Sequence, residues 1–134
     1  MDQQLRRLVW GRAQSRCEYC RMPQEFDDIP FEIDHIIAET HEGITRLSNL
    51  CLCCFACNRH KGPNIAGIDP GTRKIVPLFN PRRHKWSRHF RWDGPLLVGR
   101  TPQGRATVRV LKINLEYRVA FRQELIDEGV FPPP

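Results

Sequence analysis

The chain has 134 residues, 40% of them hydrophobic, with 21 Lys and Arg against 15 Asp and Glu, a net charge of +6 and a pI near 9.3. That is enough for one domain, 1–134, but a single core of this size is only modestly stabilising, so a metal staple would matter. The charged start MDQQLRRLVW lacks the apolar run of a secretory signal and nothing is long enough to span a bilayer, which excludes a membrane partner and points to the cytoplasm, of a bacterium by default. In that reducing compartment six cysteines are read first as metal ligands or buried thiols, and the positive charge favours a polyanionic partner.

Leu5, Leu8, Val9 and Ala13 recur at helical spacing among arginines and predict an amphipathic helix over 3–16, within an N-terminal segment 1–16. Cys17 to Pro23 follows as a tight turn, because Pro23 cannot continue a helix. Residues 31–37 alternate and are rich in β-branched and aromatic types, predicting a strand, with a turn at 41–43 and a partner strand that is short or irregular. Ser48 or Asn49 is placed to cap the next element, and 55–61 predicts a helix ending at Gly62-Pro63. Beyond it Gly67, Pro70, Gly71 and Pro77 punctuate a loop, and 85–92, 95–99 and 106–111 read as short strands. Asn114 is the expected cap of a final helix carrying Leu115, Val119, Leu125 and Ile126.

Cys17-x-x-Cys20 and Cys54-x-x-Cys57 are two pairs that can each offer two thiolates to one tetrahedral zinc ion. With four sulfur ligands no position remains for water or substrate, so the ion would be a staple and not a catalyst. Cys51 and Cys53 lie close enough to Cys54 to substitute for it, but only the 54–57 spacing repeats that of 17–20; the two extras are read as buried small hydrophobes.

Between the zinc pairs lies Phe31-Glu32-Ile33-Asp34-His35-Ile36-Ile37, then Asn49-Leu50, then Cys57-Asn58-Arg59-His60-Lys61-Gly62. From Cys17 to Gly62 this order resembles the HNH endonuclease family, in the small stand-alone bacterial type whose pattern is CxxC, DHI, Asn-Leu and CxxCNxxKG. The resemblance implies an α+β fold: a ββα-metal (His-Me finger) core, 17–62, stapled by a four-cysteine zinc site, after an N-terminal helix and before a basic, aromatic, β-rich extension, 63–134, ending in a helix. It implies an endonuclease hydrolysing phosphodiester bonds, in DNA most of all. His35 would be the general base activating water, Asp34 and Asn58 the ligands of one Mg²⁺ or Mn²⁺, and Asn49 the support that pins the loop behind His35. Adjacent strand residues point to opposite faces, so Asp34 and His35 could share a site only at a strand end or bulge.

Arg59 and Lys61 follow Asn58 and are candidate phosphate contacts. From Leu78 to Trp92 basic residues interleave with aromatics: Arg82, Arg83, Lys85 and Arg88 are read as further contacts, and Phe79, Trp86, Phe90 and Trp92 as partly buried. The alternative is a catalytically silent, zinc-stabilised module that only binds nucleic acid. Monomer and homodimer stay open.

Overall fold

Asp2 opens the first helix, α1 (Gln3–Ala13), by accepting a hydrogen bond from the Leu5 amide at 2.8 Å. The helix stops short of residue 16 because Gln14 and Ser15 both take left-handed backbone. Val9 and Ala13 face the core, and the chain turns directly into the first cysteine pair. The computed structural model describes residues 1–134 throughout.

Strand β1 (Glu32–His35) pairs antiparallel with β2 (Leu50–Cys53), in register Glu32 to Cys53 and His35 to Leu50. All four β2 residues are buried, so this strand has no polar face and lies inside the core. The sequence pattern suggests a cap and loop here; in the structure Leu47–Asn49 is a short 3₁₀ turn and the helix cap is Cys54. Helix α2 (Phe55–Lys61) lies at the expected residues and packs on β1. Strand, strand and helix make the ββα unit.

The extension contains more helix than expected. Within the stretch read as a loop, β3 (Ala66–Ile68) and β4 (Ile75–Pro77) form a hairpin. Residues 85–92 divide into a single helical turn, α3 (Trp86–His89), and β5 (Phe90–Asp93), which pairs with β6 (Leu96–Gly99). The strand expected over 106–111 is instead part of α4 (Pro102–Val110). Thr101 caps that helix by accepting from the Gly104 amide, and Pro102 begins it, which outweighs the β-branched Thr107, Val108 and Val110. At Gly104 the helix meets the chain so closely that a Cβ would lie 2.2 Å from the His89 carbonyl oxygen. The last helix, α5 (Glu116–Asp127), begins after Leu115; Asn114 does not cap it but bridges the Leu97 amide and carbonyl of β6.

Phe79 and Phe90 are buried and meet edge to face at 5.1 Å, while Trp86 and Trp92 pack partly buried around them. Trp86 Nε1 donates to the Tyr19 carbonyl at 2.8 Å, tying the extension to the cysteine turn. No helix is long and apolar enough to cross a membrane.

Candidate active site and metal centre

The sulfurs of Cys17, Cys20, Cys54 and Cys57 all lie within 4.8 Å of one another, and all four residues are buried. Zinc–sulfur bonds near 2.3 Å put tetrahedral ligands about 3.8 Å apart; Cys20 and Cys54 Sγ are 3.7 Å apart. The four cysteines are thus positioned for a zinc site. The first pair is carried by a turn in which the Arg21 amide returns to the Cys17 carbonyl and Arg21 adopts positive φ. Cys54 Sγ accepts from the Cys57 amide while capping α2. Cys51 and Cys53 are fully buried outside the cluster, and burial pushes the Cys51 thiol well up, which keeps it protonated.

Arg118 of α5, sixty-one residues beyond Cys57, carries no sequence signal that joins it to this site. Its Nη2 donates to Cys57 Sγ at 3.0 Å and lies 3.9 Å from Cys54 Sγ, while Nη1 donates to the Leu111 and Lys112 carbonyls. Burial works against its charge, yet the surrounding sulfurs, Cys57 first, raise its pKa above the ordinary value. Four thiolates around a dication leave net negative charge in the core, and this guanidinium offsets it. Arg118→Met is expected to weaken zinc binding roughly 10–100-fold, read by competition with a chromophoric chelator.

Glu32 and Asp34, two apart on β1, share the face covered by α2, and Asn58 and Lys61, three apart on α2, meet them. Asn58 Nδ2 donates to Glu32 Oε2 at 2.8 Å, and Lys61 Nζ lies 3.4 Å from Asp34 Oδ2. Asp34 Oδ2 is buried and, apart from this long ion pair with Lys61, makes no hydrogen bond. Burial raises the Asp34 pKa; Lys61, then His35, partly oppose this. A buried carboxylate oxygen met only by a long ammonium contact, beside a side-chain amide, suits a hard oxygen-seeking cation.

His35 ends the strand and turns to the loop of residues 36–46. Its Nε2 is 2.8 Å from Thr45 Oγ1 and 3.7 Å from Glu39 Oε1, and its side chain is 19% exposed. It makes no hydrogen bond to Asp34 or Asn58, so the two halves of the Asp34-His35 pair engage different elements. Asn49, 9% exposed, closes the loop: Oδ1 accepts from the Ile37 amide and Nδ2 donates to the Ile37 and Ile44 carbonyls. Gly43 is required there, since a Cβ would lie 1.7 Å from the Ile37 carbonyl oxygen. Asn49→Ala strands these groups and is expected to cost about 2–4 kcal/mol, measured by urea denaturation.

Two of the expected phosphate contacts are corrected. Lys61 is 2% exposed and its ammonium is held inside by Asp34 and by the His35 and Ile36 carbonyls. Arg82 is 14% exposed and paired with Glu18, whose other oxygen accepts from the Leu52 amide, so it anchors the extension to β2. Charge in a sequence does not tell an internal cation from a solvated one. Arg59, Arg83, Lys85 and Arg88 are exposed.

This geometry is a ββα unit of mixed α+β architecture, framed by four cysteines positioned for a zinc ion. Residues 17–64 match the family model described as HNH endonuclease, a match that supports nuclease-like activity on nucleic acid in general terms. Over 130 residues the chain is 25% identical to the Septu protein PtuB of Bacillus thuringiensis, covering 88% of this chain and 48% of that protein. The chain therefore spans about half the length of this curated relative. No solved structure matches.

Proposed function

We propose that the protein is a metal-dependent endonuclease hydrolysing phosphodiester bonds in DNA, with His35 as general base and with Asp34 and Asn58 holding one Mg²⁺ or Mn²⁺ ion. The observation that carries this reading is the buried Asp34 oxygen, hydrogen-bonded to nothing and met only by the Lys61 ammonium at 3.4 Å, on the face that also presents Asn58. With Asn58 Nδ2 given to Glu32, its Oδ1 is left for a cation. When bound, such an ion supplies charge neutralisation at the phosphate and at the departing 3′-oxygen.

The chain's own residues do the rest. Thr45 occupies Nε2 of His35, leaving Nδ1 to take a proton from water. Asn49 holds the loop that carries Thr45, and so supports His35 without touching the reacting atoms. Arg59, Arg83, Lys85 and Arg88 offer exposed cations to phosphates. The cytoplasm, where thiolates stay free for zinc, is the proposed compartment. Thr45→Val removes one orienting hydrogen bond and is expected to lower kcat about 3–10-fold, with KM unchanged, in steady-state cleavage of a labelled oligonucleotide.

The test is incubation of the zinc-loaded protein with supercoiled plasmid, single-stranded DNA and RNA, with and without Mg²⁺ or Mn²⁺. Nicking that needs the added ion and disappears in Asp34→Asn supports the proposal; no cleavage of any substrate overturns it. One observation favours a silent nucleic-acid-binding module instead: the Lys61 ammonium within ion-pair range of Asp34. That module would bind the same substrates without cutting them.

A further inference from the structure

Lys61 is the last residue of α2 and among the largest fully buried side chains of the molecule. Lysines ordinarily bury the stem and leave the head in water; here Nζ lies 3.1 Å from the Ile36 carbonyl, 3.4 Å from the His35 carbonyl and 3.4 Å from Asp34 Oδ2. The two carbonyls belong to the turn by which the chain leaves β1, the same turn that aims His35. One ammonium therefore joins the carboxylate of the ion site to the backbone of the proposed base.

Asp34 is the half-buried anion of this face, while Glu32 is exposed and bonded to Asn58. With Lys61 beside it, much of the attraction that Asp34 could exert on a second cation is already used. A divalent ion arriving alone would meet a carboxylate offset by a neighbouring positive charge, whereas a phosphodiester brings the negative charge that restores the balance. We propose that Lys61 is a positioning residue that couples loading of the divalent ion to the presence of the phosphodiester, while holding Asp34 and the His35 turn in register. The proposal rests on the reading of Asp34 and Asn58 as the ion's ligands. It turns the feature that favours a silent module into a device of the active one.

The experiment measures Mn²⁺ binding by electron paramagnetic resonance, on zinc-loaded protein carrying His35→Ala to prevent turnover, with and without a short DNA duplex. With Lys61 present, Mn²⁺ is expected to bind weakly alone and about tenfold or more tighter with DNA. Lys61→Met is expected to bind Mn²⁺ about tenfold tighter without DNA and to lose most of the DNA-dependent gain. Lys61→Arg, which keeps the charge, restores the parent behaviour. Equal Mn²⁺ affinity and equal DNA gain in the parent and Lys61→Met overturn the role of Lys61 but leave the ion site standing. Mn²⁺ binding that is absent, or indifferent to Asp34→Asn, overturns the ion site and this inference with it. Should Lys61→Met fail to fold, the test moves to the intact chain: the ¹⁵N-labelled Lys61 ammonium resonance is expected to shift with Mg²⁺ and DNA together. A shift of the same size with Mg²⁺ alone overturns the coupling.

Discussion

Cys57→Ser, or removal of zinc with a strong chelator, is expected to leave the protein largely unfolded. The four sulfurs lie at the meeting point of the first cysteine turn, α2 and, through Arg118, α5, and Tyr19, Leu52 and Leu111 of the same core are fully buried. Structural zinc contributes an apparent ~10–16 kcal/mol in small domains, while a whole domain is stable by only about 5–15 kcal/mol. Loss of the ion also leaves Arg118 as a buried charge facing protonated thiols, which costs further. Thermal melts by circular dichroism, with zinc quantified in parallel, check this. Cys51→Ala serves as the control: its thiol lies outside the cluster, so zinc should stay fully bound, and loss of zinc from that variant but not from Cys54→Ser would mean the ligand set is wrong.

His35→Ala is expected to lower kcat for DNA cleavage by about 10²–10⁴-fold, the range for removing a positioned general base. Zinc content and melting temperature should hardly change. The ring is 19% exposed, lies outside the fully buried core and meets Thr45 and Glu39 of its own loop, so little core packing is lost with it. A variant that keeps its fold and zinc yet loses its rate separates the chemistry from the staple, which Cys57→Ser cannot do. Rapid-quench single-turnover kinetics on a labelled duplex gives the ratio directly.

Features that depend on local spacing are legible in the sequence. The two cysteine pairs and the helix over 55–61 can be read this way, because metal ligation and helix ends impose short, fixed intervals. Strand β2 is hidden because Leu50 to Cys53 are all apolar: a strand buried on both sides loses the alternation that reveals it. Helix α4 reads as a strand because Thr107, Val108 and Val110 are β-branched, although Thr101-Pro102 carries the better local signal.

The contacts that refine the site are out of reach for a different reason. Arg118 to Cys57, Arg82 to Glu18, Thr45 to His35 and Glu32 to Asn58 are distances in space between residues 10 to 64 positions apart. Charge pattern places Lys61 and Arg82 at the surface; only packing shows that both are internal ties. Their burial leaves Arg59, Arg83, Lys85 and Arg88 as the exposed candidates for phosphate.

If this zinc-framed fold cuts phosphodiester bonds with an added hard ion and His35, one gel tests it most directly: supercoiled plasmid incubated with wild-type and His35→Ala protein of equal zinc content, with and without Mn²⁺. Nicked circles are expected only where wild-type protein and Mn²⁺ are both present. Equal nicking by the two proteins, or none by wild-type on plasmid, single-stranded DNA and RNA alike, would contradict the proposed chemistry.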